Sequence, residues 1–301
     1  MERIKQALEK ARSEREKAGA GPGAVRTSSS ASAPKLIAYT HTRTIEVAED
    51  PLREKRIISG VEQNSFTDAY KILRTQILQR LKENSWNSVA ITSPGFNEGK
   101  TLTAVNLAIS LAMEVDYTVL LVDADLRNPS IQSYFGLGTE KGLSEYLTDN
   151  IPLDELLIHP AHIPRFVVLP GGKSLINSSE MLNSPKMVRL VEELKTRYPS
   201  RIIIFDLPPL LSAADALVFS PYVDAAVLVI EEGKTQTEDA KRAVGLLQGT
   251  NLIGTVLNKS WTKLENEEAK SAEWFNYLVG RIQLCYQPMK QWFSRMRKGK
   301  S

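Results

Sequence analysis

Ser93-Pro94-Gly95-Phe96-Asn97-Glu98-Gly99-Lys100-Thr101 is the stretch whose reading decides the fold. The residues before it, Ser88-Val89-Ala90-Ile91-Thr92, read as a buried strand, and Leu102 to Met113 read as a helix. A strand, a tight polar loop ending Gly-Lys-Thr and a helix is the layout of a phosphate-binding loop. Polyphosphate needs donors without bulk. The loop backbone supplies them through Gly95, Asn97, Glu98, Gly99 and Leu102, and the helix N-terminus adds a favourable dipole. Lys100 is the candidate contact to the β- and γ-phosphates, and the Thr101 hydroxyl the candidate ligand to Mg2+. Pro94 stands where the pattern GxxxxGK[ST] has a small residue, and it removes one N–H from the cradle. Taken alone, Gly-Lys-Thr is also compatible with an ordinary strand-to-helix turn.

The rest of the chain bears on that choice. Thr118 to Val122, Phe166 to Leu169, Ile202 to Phe205, Ala225 to Ile230 and Leu252 to Leu257 are apolar runs of strand length. Helical patterns separate them: Gly142 to Leu147, Pro185 to Arg197 with Ser184 before it, and Thr237 to Leu247. Thr67 to Lys82 is a further amphipathic helix, with Ile72, Ile77 and Leu81 on its apolar side, and Leu36 to Val47 reads as an edge strand. Near-continuous apolar strands alternating with helices predict an α/β fold of the P-loop NTPase kind: a mainly parallel sheet covered by helices on both faces. Ligands of such sheets bind at the carboxyl ends of the strands.

Acids stand at two of those ends. Asp123 and Asp125 follow the strand Val119 to Val122, and Asp206 follows Ile202 to Phe205. A carboxylate at the end of an apolar strand is costly unless it is paired or metal-bound. A helix cap or a salt bridge would explain any one of them. Beside a Gly-Lys-Thr loop in the same sheet, the better reading is Mg2+, which takes one or two carboxylates together with phosphate oxygens and water. Asp206 suits the orientation of a metal-bound water, and Asp123 suits a direct or near-direct metal contact. Asp123 or Asp125 suits acceptance of a proton from an attacking hydroxyl, with Asp123 preferred. Arg127 either neutralises phosphate charge or pairs with Asp125.

Composition narrows the function classes. Of 301 residues, 42% are apolar and 24% charged, and the net charge of +3 is too small to argue for nucleic acid. A single cysteine, Cys285, excludes a disulfide framework and a cysteine-based zinc site. No apolar run approaches a membrane span, and Met1-Glu2-Arg3-Ile4-Lys5 lacks the apolar region of a signal peptide, so the expected location is cytoplasmic. Residues 1–35 read as a charged helix, Glu2 to Lys17, followed by the flexible linker Ala18 to Pro34. Residues 263–301 form a basic, aromatic tail. From Arg281 onward it holds six basic residues and no acidic one, with Trp292, Phe293 and Met296 interleaved, a pattern that suits an anionic membrane surface or packing on its own domain. His41, His159 and His162 have no metal-like company and read as surface or loop residues.

From about Tyr39 to Ser260 the chain resembles the bacterial tyrosine autokinases of capsule and exopolysaccharide synthesis, of the CpsD/CapB type, and in particular the cytoplasmic form associated with exosortase-linked loci. The resemblance rests on Val119 to Pro129 (VLLVDADLRNP) and Ile202 to Leu211 (IIIFDLPPLL), supported by Phe135-Gly136-Leu137, Gly142-Leu143-Ser144, Leu169-Pro170-Gly171-Gly172 and Val256-Leu257-Asn258-Lys259. It implies a kinase domain over residues 36–262 that transfers the γ-phosphate of ATP to tyrosine with Mg2+. By position, Lys100 and Thr101 take the Walker A role, Asp123 and Asp125 the Walker A′ role and Asp206 the Walker B role. Asn258 sits where related ATPases hold adenine, with a strand-end turn as the alternative. The resemblance also implies a homo-oligomer and, as activator, an integral-membrane protein that sets polysaccharide chain length and export. Three features depart from the family. Phe96-Asn97 replaces Pro-Gly in the loop, the subunit-joining helix carries Asp68, Lys71 and Arg74 in place of Glu-x-x-Arg-x-x-Arg, and only Tyr277 and Tyr286 lie beyond Ser260.

Overall fold

The computed structural model describes residues 42–58, 64–138, 140–198 and 200–260. The helix expected at Glu2 to Lys17, the linker after it, His41 and the tail from residue 263 with Tyr277 and Tyr286 lie outside the described residues. Among the described residues eight strands carry the architecture: β1 (Arg43–Ile45), β2 (Ser88–Thr92), β3 (Thr118–Asp123), β4 (Ile158–Pro160), β5 (Phe166–Leu169), β6 (Arg201–Asp206), β7 (Ala225–Glu231) and β8 (Leu252–Asn258). They form one sheet in the order β1-β4-β5-β3-β6-β2-β7-β8. Neighbours run parallel except β4 and β5, which are antiparallel.

Period-2 alternation divides the apolar residues of each central strand between two cores. Val89 and Ile91, Val119 and Leu121, Ile202 and Ile204, and Val227 and Val229 point to one face. Ala90, Leu120 and Val122, Ile203 and Phe205, and Ala226 and Leu228 point to the other. The first face is covered by the helix Lys100–Ala112, buried along nearly its whole length, with Ser65–Asn84 packed outside it. The second face receives Met187, Leu190, Val191 and Leu194 of the helix Pro185–Arg197. That helix starts where expected: Ser184 Oγ accepts from the Met187 N–H at 3.2 Å, and proline stands at the first turn.

The same alternation places the acids. Asp206 continues the series Ile202, Ile204, and Asp123 continues Val119, Leu121. Both therefore aim at the face that carries the helix Lys100–Ala112. In the β3–β6 register Asp123 is the direct partner of Asp206, and in the β2–β6 register Ile91 is. Because β6 lies between β2 and β3, the phosphate loop and both strand-end acids meet at one rim.

Several expectations are corrected in detail. Ile72 is half-buried, while Tyr70 and Leu78 join Ile77 and Leu81 in the core. His159 is not a surface residue: it is buried in β4, where its Nδ1 lies 2.8 Å from the Phe166 carbonyl oxygen. His162 is exposed and pairs with Glu46 at 2.9 Å. β4 and the short helices Glu49–Glu54, Ile131–Tyr134, Leu153–Leu156, Ser178–Leu182 and Asp215–Phe219 are additions, each too short to show a period. Of Asp68, Lys71 and Arg74 on Ser65–Asn84, Arg74 is committed within the chain. It donates to the Ser110 carbonyl at 2.9 Å and pairs with Glu114 at 2.8 Å, at the C-terminal end of the inner helix, which favours a cation. Lys71 and Asp68 are exposed and pair with each other at 2.8 Å.

The end of the sheet opposite the site is tied by Asp224. Its Oδ2 accepts from the N–H groups of Asn87 and Ser88, both at 3.0 Å, and from Ser88 Oγ at 2.8 Å, while Lys195 Nζ lies 2.5 Å from Oδ1. Burial pushes this carboxyl up, but the Lys195, Asn87 and Ser88 donors outweigh it and hold the group below the usual carboxylate range. Asp224→Ala leaves two backbone donors and an ammonium without their acceptor, at an expected cost of about 2–4 kcal/mol in urea unfolding at pH 7. A depressed folded pKa stabilises above the unfolded value of about 4 and is lost as pH falls through the folded value. The wild-type advantage over Asp224→Ala should therefore be full at pH 6 and shrink below about pH 4.

Candidate functional site

The loop between β2 and the helix Lys100–Ala112 is tight because its backbone turns left-handed twice. Asn97 adopts φ +61° and Gly99 φ +91°. Asparagine is among the non-glycine residues that tolerate this region best, which explains how it occupies the position. Gly99 has a second constraint: a Cβ there would collide with the Asn258 amide. Phe96 beside them is 58% exposed.

Side chains from beyond the loop brace it. Glu98 is buried, and its carboxylate bridges two segments by accepting from the Gly95 N–H at 3.0 Å and from Thr235 Oγ1 at 2.6 Å. Thr235 in turn accepts from the Glu231 N–H at 2.8 Å. From the end of β8, Asn258 Nδ2 donates to the Glu98 carbonyl at 2.9 Å and Lys259 Nζ to the Asn97 carbonyl at 2.6 Å. On the β6 side, the carbonyls of Ser93 and Pro94 accept from the N–H groups of Leu210 and Leu211 at 2.8 and 3.2 Å. The Glu98 side chain therefore acts in holding the loop's shape. Thr235 carried no signal in the sequence.

The catalytic candidates converge at the rim. Lys100 Nζ lies 2.8 Å from Asp125 Oδ2 and 3.6 Å from Asp206 Oδ1. Thr101 Oγ1 donates to Asp206 Oδ2 at 2.6 Å. Asp123 is gripped by backbone: Oδ2 accepts from the N–H groups of Ser130 and Ile131 at 2.8 and 2.9 Å, and Oδ1 from that of Asp125 at 3.2 Å. Asp125 Oδ1 accepts from the Asn128 N–H at 3.1 Å. Leu102 follows in the first turn of the helix Lys100–Ala112.

Asp123 and Asp206 have no exposed surface. Burial pushes the Asp123 carboxyl up, and the neighbouring Asp206 adds to it against the Ser130 and Ile131 amides and Lys100. Burial also pushes Asp206 up, with Lys100 and Thr101 opposing. For Lys100, burial would lower the pKa, but the attraction of Asp206 and Asp125 prevails and holds it raised and charged. One acceptor stays unsatisfied. Asp206 Oδ1 is buried without a hydrogen-bond partner, next to the Thr101 hydroxyl. A buried, orphaned carboxylate oxygen and a hydroxyl are hard donors of the kind a divalent cation takes. Among the described residues no group of three or more His, Cys, Asp or Glu is arranged to enclose a metal by itself. The donor set fits Mg2+, which completes its shell with phosphate and water, better than a cation that needs a protein cage.

Arg127 is placed differently from one expectation. It does not pair with Asp125. Its Nε donates to Asp215 Oδ1 at 3.0 Å, and Ser179 Oγ donates to the same oxygen at 2.7 Å. Asp125 is taken by Lys100, and Asp215 is buried and nearer the guanidinium.

Comparison with known proteins agrees with this geometry. A family model described as an AAA domain matches residues 90–240. The tyrosine-protein kinase YwqD of Bacillus subtilis is 34% identical over 208 residues, covering 68% of this chain and 86% of that protein. The tyrosine-protein kinase CpsD of Streptococcus agalactiae is 33% identical over 205 residues, covering 67% and 87%. Among solved structures, the kinase domain of the Escherichia coli tyrosine kinase ETK superposes with a TM-score of 0.61 at 27% identity, covering 77% of this chain and 95% of that one. A parallel sheet with a phosphate loop, two strand-end acids brought into register beside its lysine, and relatives of this likeness lead to one conclusion: the chain belongs to the bacterial tyrosine-protein kinases and is built on their nucleotide-binding P-loop domain.

Proposed function

We propose that this chain transfers the γ-phosphate of ATP, taken up with Mg2+, to tyrosine hydroxyls of its own copies, and that this transfer regulates exopolysaccharide polymerisation and export. The observation that carries the site reading is the convergence of Lys100, Thr101, Asp123, Asp125 and Asp206 at one strand-end rim. The backbone from Gly95 to Leu102 cradles the phosphates, and Lys100 neutralises charge on the β- and γ-phosphates. Thr101 and Asp206, with Asp123 beside them, would hold Mg2+, which supplies charge neutralisation at the transferred phosphoryl group. Asp123 accepts the proton of the attacking tyrosine hydroxyl. A carboxylate whose proton affinity is raised by burial and by a neighbouring acid is better matched to that task near neutral pH than an ordinary one. Asp125 fixes the Lys100 ammonium. Arg127, held by Asp215 and nearly half exposed, offers its guanidinium to phosphate. Asn258 lies against the loop and is the residue proposed to meet adenine.

Among the described residues no helix is long and apolar enough to cross a membrane. Work at the membrane would then depend on an integral-membrane partner that sets chain length and export, on assembly into a homo-oligomer, and on contact through the basic tail. Arg74 is occupied inside the chain, so subunit joining through this helix would fall to the exposed Asp68 and Lys71.

Incubation of the full chain with γ-labelled ATP and Mg2+ tests the reading. Phosphotyrosine should form and fall about 100-fold or more in Lys100→Met, and it should drop when Tyr277→Phe and Tyr286→Phe are combined. Nucleotide binding without any phosphotyrosine, even with the cytosolic segment of the membrane partner added, would make the protein a nucleotide switch instead. A second measurement addresses the buried charge. Asp206→Asn keeps an acceptor for Thr101 and removes a desolvated carboxylate. The nucleotide-free protein should then melt about 2–4 °C higher at pH 8, while the stabilisation by Mg·ADP seen in the wild type disappears.

A further inference from the structure

One flank of Asp123 is closed by a residue without a side chain. A Cβ on Gly171 would come 2.6 Å from Pro129 Cβ and 3.1 Å from the carboxyl carbon of Asp123. The Asp123 carboxylate is thus held between two walls. The turn at Ser130 and Ile131 donates to it, and the main chain at Gly171 passes close on another side, leaving no room for a Cβ.

The position of Gly171 is set by a second interlock. The helix Leu143–Asp149 turns its first amides onto this turn: the Leu143 N–H donates to the Pro170 carbonyl at 2.8 Å and the Ser144 N–H to the Gly171 carbonyl at 3.0 Å. Glu145, buried in the same turn, binds both segments together. Its Oε2 accepts from the Gly142 N–H at 2.7 Å and Ser144 Oγ at 2.9 Å, and its Oε1 accepts from the Lys173 N–H at 3.2 Å. Neither Gly142 nor Gly172 has room for a Cβ, which would run into the Pro170 carbonyl and the Glu145 carboxylate respectively. The other end of the helix is anchored by Lys186, which donates to the carbonyls of Tyr146 and Leu147 and to Asn150 Oδ1. The helix therefore cannot follow a displaced turn without breaking contacts at both of its ends.

We propose that Glu145 and Gly171 are positioning residues for phosphoryl transfer, Glu145 holding the Pro170–Lys173 turn so that Gly171 keeps the Asp123 carboxylate in place. Neither residue is assigned a contact to substrate. The proposal rests on the reading of Asp123 as the group facing the transferred phosphoryl and the incoming hydroxyl. It separates two functions at the site. Lys100, proposed to meet the nucleotide phosphates, and Thr101 and Asp206, proposed to hold their Mg2+, are carried by the phosphate loop and β6 and do not lean on this turn. A displaced turn should therefore spare nucleotide binding and impair transfer.

The test compares Gly171→Ala and Glu145→Gln with wild type in the full chain. The readouts are the rate of γ-phosphate loss from Mg·ATP, to tyrosine or to water, the KM for ATP, the affinity for Mg·ADP by calorimetry, and the melting temperature. Gly171→Ala should lower kcat about 10–100-fold, with KM and Mg·ADP affinity within about threefold of wild type. Glu145→Gln keeps the size of the side chain but turns one acceptor into a donor, so it should lower kcat by a smaller factor in the same direction. Should Gly171→Ala fail to fold, Glu145→Gln carries the test. Leu194→Ala in the opposite core controls for stability: it should melt lower yet keep wild-type kcat. Wild-type kcat in both variants, or a loss that follows the melting temperature as it would in an equally destabilised Leu194→Ala protein, overturns the proposal. Asp123→Asn distinguishes the two levels. If it keeps activity, the reading of Asp123 fails; if it is inactive while Gly171→Ala is fully active, only the positioning proposal fails.

Discussion

Two carboxylates buried side by side are the constraint on which this structure depends. Asp123 and Asp206 are register partners on adjacent parallel strands, pointing to the same face, without solvent. Left alone, such a pair costs several kcal/mol and takes up a proton. The chain offsets part of that cost with a lysine from the phosphate loop, a threonine hydroxyl and a set of backbone N–H groups. It leaves one oxygen of Asp206 unsatisfied. The stability forgone there is a local imbalance of buried charge at the rim of the sheet.

The packing follows from the same requirement. Lys100 and Thr101 reach the acids only if the helix they begin lies flat on the sheet face that Asp123 and Asp206 address. That helix is therefore almost wholly buried, with Ser65–Asn84 as a second layer outside it. One of its polar side chains, Asn106, serves as a docking point. Asn106 accepts from the Ile58 N–H at 2.9 Å and donates to the Arg56 carbonyl at 3.0 Å. The loop ahead of the helix keeps its form through contacts from the ends of β7 and β8, so its unusual Phe96-Asn97 pair is accommodated by a left-handed asparagine and an external brace.

The site divides into two mechanical parts. The phosphate loop and β6 carry the groups proposed to hold a nucleotide. β3, the Ser130–Ile131 turn and the glycine turn after β5 carry Asp123, the group proposed to face the chemistry. Rigid strands fix the distance between the two parts, and the turns fix the orientation of the carboxylate.

Much was legible from local pattern. The strand–loop–helix around Lys100, the apolar strands ending in Asp123 and Asp206, and the capped helix at Pro185 are each dictated within ten or fifteen residues, because period, capping and turn chemistry act over that range. What the sequence could not settle was which partner each polar group takes. Arg127 meets Asp215, 88 residues on, instead of Asp125 two residues back. His159 is buried because β4 is inserted between β1 and β5. Arg74 is drawn to a neighbouring helix end, and the Glu98 carboxylate reaches Thr235, 137 residues on. These pairings are set by strand order and by the few ångströms that separate competing acceptors. Both exist only once the sheet has closed over its two cores, and so they were decided by the tertiary structure alone.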